Sequence, residues 1–317
     1  MDFPAEQLRA FAAVVDTGSF EGAAARLHIT PSAVSQRIKA LETQVGTVVV
    51  RRRKPASPTT AGAVLLRLAR QVDLLAAEAA AELAGHGGGE GGTRAAIPVA
   101  VNADSLATWF SDVFESLAHE DGLEIELLRE DESVSAELLR SGRAMAAVTT
   151  DGRAVQGCVT EPLGTLRYTA MASRSFADRW FGQDPLSGLA SAPVVNFDRS
   201  DDLQSSVAQE VLGLRPTPPV HHVPDSTQYV RAVAAGLGWG MVPGVQDPGD
   251  GSLVVIDPAW SRGVGLYWQR WKLDSPALAR VSAAVHRAAR ESRALESRAE
   301  DRPPLRPASS GVPGVRE

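Results

Sequence analysis

The chain has 317 residues, of which 44% are hydrophobic, and a formal net charge of −6. This length allows two or three domains with sizeable cores, and the composition excludes a wholly disordered chain and a wholly basic nucleic-acid binder. No apolar run is long enough for a membrane span, the first residues lack a secretory signal, and Cys158 is the lone cysteine, so we expect a cytoplasmic protein without membrane association.

The first 60 residues predict three short helices followed by a basic wing. Leu8, Phe11, Val14 and Val15 mark one face of the first helix. Ser19 is a candidate N-cap for the second helix. The third helix has Thr30 as a capping hydroxyl, Pro31 at its first position and Gly46 as its stop. Its apolar stripe consists of Val34, Ile38, Leu41 and Val45.

Positive charge is concentrated around this third helix. Residues 26–54 carry a net charge of +6, which leaves −12 for the remainder. The outer face of the helix offers hydroxyl, amide and cationic groups that suit a DNA major groove, and the cations of the wing suit phosphates. The alternatives are an ordinary polar surface helix and a solubilising basic run. The DNA-binding candidates are Thr30, Pro31, Ser32, Ser35, Gln36, Arg37, Lys39, Arg51, Arg52, Arg53 and Lys54.

A long helix is predicted from about residue 60 to residue 84. Its apolar residues alternate in spacings of four and three, at Ala61, Leu65, Leu68, Val72, Leu75 and Ala79. This heptad pattern favours pairing with the same helix of a second chain, over about 37 Å. The alternative is an amphipathic helix that lies on its own domain. The glycine-rich stretch 85–92 ends the helix and predicts a flexible joint.

Strands and helices alternate from Ala95 onward, with one helix expected over 104–118, which predicts α/β architecture with a largely parallel sheet. The last helix is expected over 276–295, and the proline- and serine-rich end is expected to be disordered. Trp268 and Trp271 are interpreted as packing residues.

The N-terminal segment "SFEGAAARLHITPSAVSQRIKALETQVG", with the basic wing and "TTAG", resembles LysR-type transcriptional regulators. The order of the predicted elements matches that family to about residue 295. The segments "AVNADSLATWF", "EDE", "APVVNFD" with the following "DD", and "LYWQRWKLDS" resemble its ArgP/LysG branch, which responds to basic amino acids.

The resemblance implies an α/β fold with an N-terminal winged helix-turn-helix, a long linker helix and two Rossmann-like subdomains of periplasmic-binding-protein type around a cleft. It implies a homodimer or dimer of dimers that binds a double-stranded DNA operator, with RNA polymerase as a further partner. Lysine or arginine is the implied effector, an amino-acid exporter gene is the implied target, and neither enzymatic activity nor a cofactor is expected. Another small-molecule effector is the alternative.

These considerations divide the chain into four parts. The DNA-binding domain is expected at 1–60, the dimerisation helix and hinge at 61–92, the effector-binding domain at 93–295 and a disordered tail at 296–317. Within the effector-binding domain, one subdomain is expected at about 93–168 plus 268–295, and the other at about 169–267.

A basic amino acid requires partners for one carboxylate and two cationic groups. The strand-to-helix junction at Asn102, Asp104 and Ser105 and the strand end at Thr149 and Thr150 suit the carboxylate. Carboxylates at two strand ends suit the cations, and the candidates are Glu130, Asp131, Glu132, Asp198, Asp201 and Asp202. Because side chains alternate along a strand, the first three acids cannot all face inward, and Asp131 and a neighbouring glutamate are equal candidates. The alternative for each acid is an exposed position at a strand end, where its carboxylate is solvated and binds no effector.

Two other classes of protein, an enzyme and a solute-binding protein, fit the sequence less well. An enzyme that uses these acids lacks a nucleophilic triad or an evident metal set, and a solute-binding protein does not need the N-terminal domain. His221 and His222 point to opposite faces of a strand, so no metal site is predicted. The stretch "GLGWGMVP" lacks the spacing of a phosphate-binding loop.

Overall fold

The computed structural model describes residues 2–83, 95–120, 122–129 and 132–296. The N-terminal elements are α1 (Ala5–Thr17), α2 (Phe20–Leu27), α3 (Pro31–Val45), β1 (Val50–Arg51), β2 (Ser57–Pro58) and α4 (Thr60–Leu83). The next elements are β3 (Ala95–Val101), α5 (Ala103–Ala107), α6 (Ser111–Leu117), β4 (Leu123–Arg129), α7 (Glu132–Ser141), β5 (Ala146–Thr149) and β6 (Cys158–Ala172). The last are α8 (Arg174–Phe181), α9 (Pro185–Ser191), β7 (Val194–Asn196), α10 (Leu203–Leu212), β8 (Val220–His222), α11 (Ser226–Ala234), β9 (Gly240–Pro243), β10 (Val254–Val255), β11 (Ser261–Trp271), α12 (Pro276–Glu291) and β12 (Leu295–Glu296).

The ends of α2 and α3 are set by local side-chain chemistry. The Ser19 hydroxyl accepts a hydrogen bond from the Gly22 N–H at 2.9 Å, and the Thr30 hydroxyl accepts one from the Ala33 N–H at 3.2 Å. Gly46 ends α3 in the left-handed conformation, with φ of 78°. These contacts satisfy backbone groups that a helix leaves without partners, and they confirm the predicted caps and stop.

The N-terminal core is built from α1, α2, α3 and the first half of α4. Val34, Ile38 and Leu41 of α3 are fully buried, as the predicted stripe requires, and Val45 packs against the same core. Strands β1 and β2 pair antiparallel and form the hairpin that carries the basic wing. Because the stripe fixes which side of α3 faces inward, the opposite side is presented outward.

The apolar pattern of α4 serves two purposes. Leu65 is buried in the N-terminal core, and Leu68 and Val72 pack against it, so this part of the helix lies on its own domain. Val64 and Leu75 remain exposed, at 56% and 42%. Three members of the expected pairing face, Leu65, Leu68 and Val72, therefore pack inside the monomer, and pairing with a second chain stays a prediction.

The chain divides into two compact units. The first unit contains residues 1–102, 113–162 and 267–287. Its sheet has β3 parallel to both β4 and β5, with β11 antiparallel to β5. Trp268 and Trp271 are buried, and their indole N–H groups donate to the Ser282 hydroxyl at 3.1 Å and the Leu139 carbonyl at 3.3 Å, which confirms their packing role.

The second unit contains residues 103–112 and 163–266 and the chain from 288 onward. Here β6 pairs antiparallel with β9, β10 and β12, and β7 pairs parallel with β8. Its core includes Met171, Val195, Val233 and Val242. The chain passes between the units after Pro162 within β6 and after Leu266 within β11.

Three local expectations were wrong. The single helix expected after β3 is divided into α5 and α6, because Trp109 and Phe110 are buried at the break and the Phe110 N–H bonds the Ser105 carbonyl five residues earlier. The last helix ends at Glu291, and β12 then pairs with β6. Helices α8 and α9 were not predicted.

Some expectations fall outside the described residues. The glycine-rich joint at 85–92 lies there, and so does the expected disordered tail, except for Glu296 in β12. Within the ranges that the structure describes, no helix combines the length and apolar character needed to cross a membrane.

Candidate nucleic-acid interface and effector site

The outer face of α3 presents polar groups to solvent. Gln36 and Lys39 are exposed, and Ser35 is half-exposed. The hydroxyls of Thr30 and Ser32 lie 2.9 Å apart at the start of the helix, beside Pro31. An amide and a cation on one exposed helix face can donate to base edges and phosphates, which is the chemistry expected of a recognition helix.

Arg37 on this face has a protein partner that the sequence did not reveal. Its guanidinium forms an ion pair with Glu6 of α1 at 2.7 Å. Glu6 is 72% exposed on its side chain, so water screens the pair and its contribution to stability is small. Arg37 can therefore exchange Glu6 for an acceptor on DNA at little cost.

The cations of the wing lie on the β1–β2 hairpin. All four residues from Arg51 to Lys54 are exposed. The guanidinium of Arg52 lies 5.1 Å from the centre of the Phe20 ring, and the Arg53 side chain donates to the Ser57 hydroxyl at 3.3 Å. A ring under Arg52 restricts its motion without neutralising its charge, so the cation remains available to a phosphate.

In the second unit, Asp104 of α5 lies in a network of hydroxyl groups. Its carboxylate accepts hydrogen bonds from the Tyr168 hydroxyl at 2.6 Å and the Ser226 hydroxyl at 2.5 Å. Ser226 is also bonded to the Gln246 amide, at 3.1 Å. These short, charge-assisted bonds orient the carboxylate, and further lone pairs remain for another donor.

Asp201 is a second acid, close enough to Asp104 for the two charges to repel each other. Its carboxylate accepts hydrogen bonds from the Phe197 N–H at 2.8 Å and the Leu203 N–H at 3.2 Å, and from the Gln204 amide at 3.3 Å. Burial raises the pKa of Asp201, and the negative charge of Asp104 adds to that rise, while these hydrogen bonds oppose it. Among the described residues, no lysine or arginine forms an ion pair with either carboxylate.

The buried amide of Gln204 links Asp201 to Tyr229. It donates to the Tyr229 hydroxyl oxygen at 2.7 Å and to the Val195 carbonyl at 2.9 Å. Burial, followed by the charge of Asp201, raises the pKa of Tyr229 well above its usual value, so its hydroxyl stays neutral. We define the acidic network as Asp104, Asp201, Gln204, Ser226 and Tyr229.

The other two aspartates of this region have different surroundings. Asp198 closes its own turn by accepting from the Ser200 N–H at 2.6 Å, the Ser200 hydroxyl at 2.7 Å and the Asp201 N–H at 3.1 Å. The hydrogen bond from the Ser200 hydroxyl is the main cause of the lowered pKa of Asp198. Asp202 is exposed at the start of α10. Of the three acids, Asp201 is therefore the one whose carboxylate is bonded to a buried side chain, that of Gln204.

The candidates of the first unit lie at strand ends. Asn102 and Thr149 are buried, and the Thr149 hydroxyl accepts from the Asp151 N–H at 3.1 Å. Glu132 is the first residue of α7. Two further acids, Glu130 and Asp131, lie outside the described residues, as does the side chain of Glu132.

The loop after Thr149 and Thr150 is held by a residue that the sequence did not indicate. The buried Gln269 of β11 donates to the carbonyls of Asp151 and Arg153, both at 2.9 Å, and accepts from the Val155 N–H at 3.1 Å. Its side chain therefore fixes the backbone that follows β5.

Two protein-family models match the chain. The model described as bacterial regulatory helix-turn-helix protein, lysR family, matches residues 5–63, and the LysR substrate binding domain matches residues 90–290. This chain belongs to the LysR family. Its predicted membership is thereby confirmed, as is the prediction of a helix-turn-helix domain followed by an α/β domain.

Several relatives of this LysR-family chain are regulators. The lysine export transcriptional regulatory protein LysG of Corynebacterium glutamicum is 41% identical over 291 residues, which cover 90% of this chain and 97% of that protein. The crystal structure of ArgP from Mycobacterium tuberculosis is similar with a TM-score of 0.81 and 46% identity, over 92% of this chain and 98% of that one. Full-length LysG from C. glutamicum with bound effector Arg gives a TM-score of 0.74 and 40% identity, over 91% and 99% of the two chains.

The residues that hold Asp104 in this LysR-family chain were missed in the sequence. Tyr168 is 64 residues away and Ser226 is 122 residues away. Neither belongs to a local motif, and a network built from β6, α5 and α11 has no signature in linear spacing. In the described part of the chain, no group of three or more His, Cys, Asp or Glu side chains is placed to hold a metal ion.

Proposed function

We propose that this LysR-family chain is a DNA-binding transcriptional regulator that responds to lysine or arginine and controls a gene for amino-acid export. The observation that carries the effector assignment is the pair of oriented carboxylates, Asp104 and Asp201, in one acidic network. The names of the relatives support it, since one regulates lysine export and one structure contains arginine.

DNA binding is assigned to α3 and the wing. Gln36 and Arg37 contribute to base contacts, while Arg52 and Lys54 bind phosphates of a double-stranded operator. The exposed outer face of α3, opposite Val34 and Ile38, supports this division of roles. Thr30, Pro31, Ser32, Ser35, Lys39, Arg51 and Arg53 complete the proposed interface.

Two substitutions separate base contacts from phosphate contacts. Gln36→Ala is expected to cost about 1–3 kcal/mol of discrimination at one base pair. Arg52→Ala is expected to weaken binding to all DNA sequences alike. It should also reduce the slope of log affinity against log salt concentration by about one. Fluorescence anisotropy with operator and scrambled duplexes measures both, with Arg215→Ala of the second unit as control. Unchanged operator affinity in both Gln36→Ala and Arg37→Ala would remove these residues from the interface.

The cationic side chain of the effector is assigned to Asp104 and Asp201. A cation placed there relieves the repulsion that helps raise the pKa of Asp201. Ser105, which follows Asp104 on α5, is the proposed partner of the effector carboxylate. Asn102, Thr149, Thr150 and the acids Glu130, Asp131 and Glu132 stay predictions.

Calorimetric titration with the twenty amino acids and norleucine tests this assignment. Lysine and arginine are expected to bind, and norleucine is expected to bind far more weakly because its apolar end leaves the carboxylates without a partner. Norleucine binding as tight as that of lysine would contradict it. A neutral amino acid that binds most tightly would identify the alternative effector.

The raised pKa of Asp201 predicts a pH dependence of effector binding. Only the ionised carboxylate attracts a cation, so affinity is full above that pKa and falls as the pH drops through it. The loss is expected at higher pH than for an ordinary aspartate, because burial raises this pKa. Arginine titrations from neutral pH down to the range in which an ordinary aspartate titrates measure it, since the guanidinium does not titrate there. Asp201→Asn should flatten the profile, and an unchanged profile in that variant would contradict the assignment.

The proposed assembly is a homodimer through α4. Val64 and Leu75 are eleven residues apart, which is three helical turns, so they share one exposed apolar side of the helix. Pairing this side with its copy buries it and brings two recognition helices to one pseudo-palindromic operator. A dimer of dimers and a contact with RNA polymerase are further proposals that follow from the family.

A further inference from the structure

The first half of α4 is attached to the DNA-binding domain. Leu66 is fully buried in the N-terminal core. The Arg9 side chain pairs with Asp73 at 3.0 Å, and Arg70 pairs with Asp16 of α1. Packing and ion pairs on the same helix segment fix its orientation relative to α1, so α4 and the recognition helix move as one body.

The same helix also contacts the α/β part of the first unit. A Cβ atom at Gly142, just after α7, would lie 2.6 Å from the backbone nitrogen of Arg67, so the two backbones approach as closely as glycine allows. Gly142 has φ of 75°, which also favours glycine. Further along α4, Leu74 and Ala77 are buried. This helix is therefore packed on both sides within the first unit.

Glu78 makes the most specific of these contacts. One carboxylate oxygen accepts from the Ser275 hydroxyl at 2.6 Å and from the Ala277 N–H at 2.8 Å. Ser275 in turn caps α12 by accepting from the Leu278 N–H at 3.1 Å. Ser275 and Ala277 are both buried, so a negative charge from α4 meets the positive end of α12 with little solvent screening.

The segment that Glu78 holds is connected to the second unit on both sides. Strand β11 enters the first unit after Leu266 and ends at Trp271, four residues before Ser275. Helix α12 begins at Pro276, and the chain returns to the second unit after Arg287. Glu78 therefore binds residues that lie between two chain connections to the second unit.

We infer that Glu78 is a positioning residue that couples effector binding to DNA binding. This inference rests on the proposed function, because it needs an amino acid that binds the α/β domain. The amino acid must favour one arrangement of the domain, and Glu78 transmits that preference to α4 and thereby to the DNA-binding domain. Without this contact each site still binds its own ligand, but neither changes the affinity of the other.

The full-length protein with its operator tests the inference. The measured quantity is the ratio of operator affinities with and without saturating arginine, in wild type and in Glu78→Ala. We expect a ratio of several-fold in the wild type and a ratio near one in Glu78→Ala, while arginine affinity in calorimetry changes less than about threefold. Glu82→Ala, one turn further along α4 at an exposed position, should keep the wild-type ratio.

Two variants guard against simple loss of folding. Glu78→Gln keeps an oxygen acceptor for the Ala277 N–H and should give a ratio between one and the wild-type value. Ser275→Ala leaves α4 unchanged but removes one donor to Glu78 and the cap of α12, so it should lower the ratio. A wild-type ratio in Glu78→Ala and Ser275→Ala would overturn the inference and leave the proposed function standing. A ratio of one in the wild type with both arginine and lysine would overturn both.

Discussion

Asp201→Asn is expected to weaken arginine and lysine binding by about 2–5 kcal/mol, the range found when one partner of a buried charge pair is removed. The asparagine keeps the shape of the side chain, but its single amide oxygen can accept from only one of the Phe197 and Leu203 N–H groups, which bond different carboxylate oxygens. The loss therefore reports the missing negative charge together with one missing hydrogen bond. Isothermal titration calorimetry measures it, and operator binding without effector should persist.

Asp202→Asn is the matched control for this experiment. Asp202 is the adjacent aspartate, it is exposed, and its side chain makes no capping bond to α10. Its variant should bind arginine as the wild type does. Equal losses in the two variants would indicate a long-range charge effect, and wild-type affinity in both Asp201→Asn and Asp104→Asn would contradict the acidic network as the effector site.

Leu75→Glu is expected to reduce operator affinity by at least about 100-fold, because a dimer that binds two half-sites gains from the high effective concentration of its second domain. Leu75 is 42% exposed in the chain, so the charge does not disturb the core of the monomer. In a dimer the two introduced carboxylates would face each other in an apolar contact. Light scattering measures the expected loss of the dimer, and operator titration measures the expected loss of affinity for DNA.

Ala80→Glu adds the same charge to an exposed position of α4 outside the Val64–Leu75 side. It should leave the dimer and operator affinity close to wild type. The proposal fails if Leu75→Glu remains a dimer with full operator affinity, or if the wild type is a monomer at micromolar concentration and still binds its operator tightly.

Local chemistry made the N-terminal domain predictable from the sequence. The caps at Ser19 and Thr30, the stop at Gly46 and the stripe of α3 each depend on residues within a few positions of one another. Such contacts are present in the sequence as spacings, so the helix ends, the buried side and the exposed side of α3 followed directly.

Long-range contacts set what the sequence could not show. The ion pair of Glu6 with Arg37 and the bonds from Tyr168 and Ser226 to Asp104 join separate elements. The spacing of α4 did not reveal which apolar residues pack inside the monomer, because packing on its own domain and pairing with a second chain use the same helical period. The acids Asp198, Asp201 and Asp202 were equivalent in sequence until burial separated them.

The central claim is that a basic amino acid changes how this LysR-family chain binds DNA. The most direct measurement is a footprint and affinity titration of the full-length protein on the DNA upstream of its own gene, with arginine, lysine or norleucine. Arginine or lysine is expected to change the protected region or the affinity by several-fold, and norleucine is expected to change neither. Identical footprints and affinities under all four conditions, including no addition, would contradict the central claim.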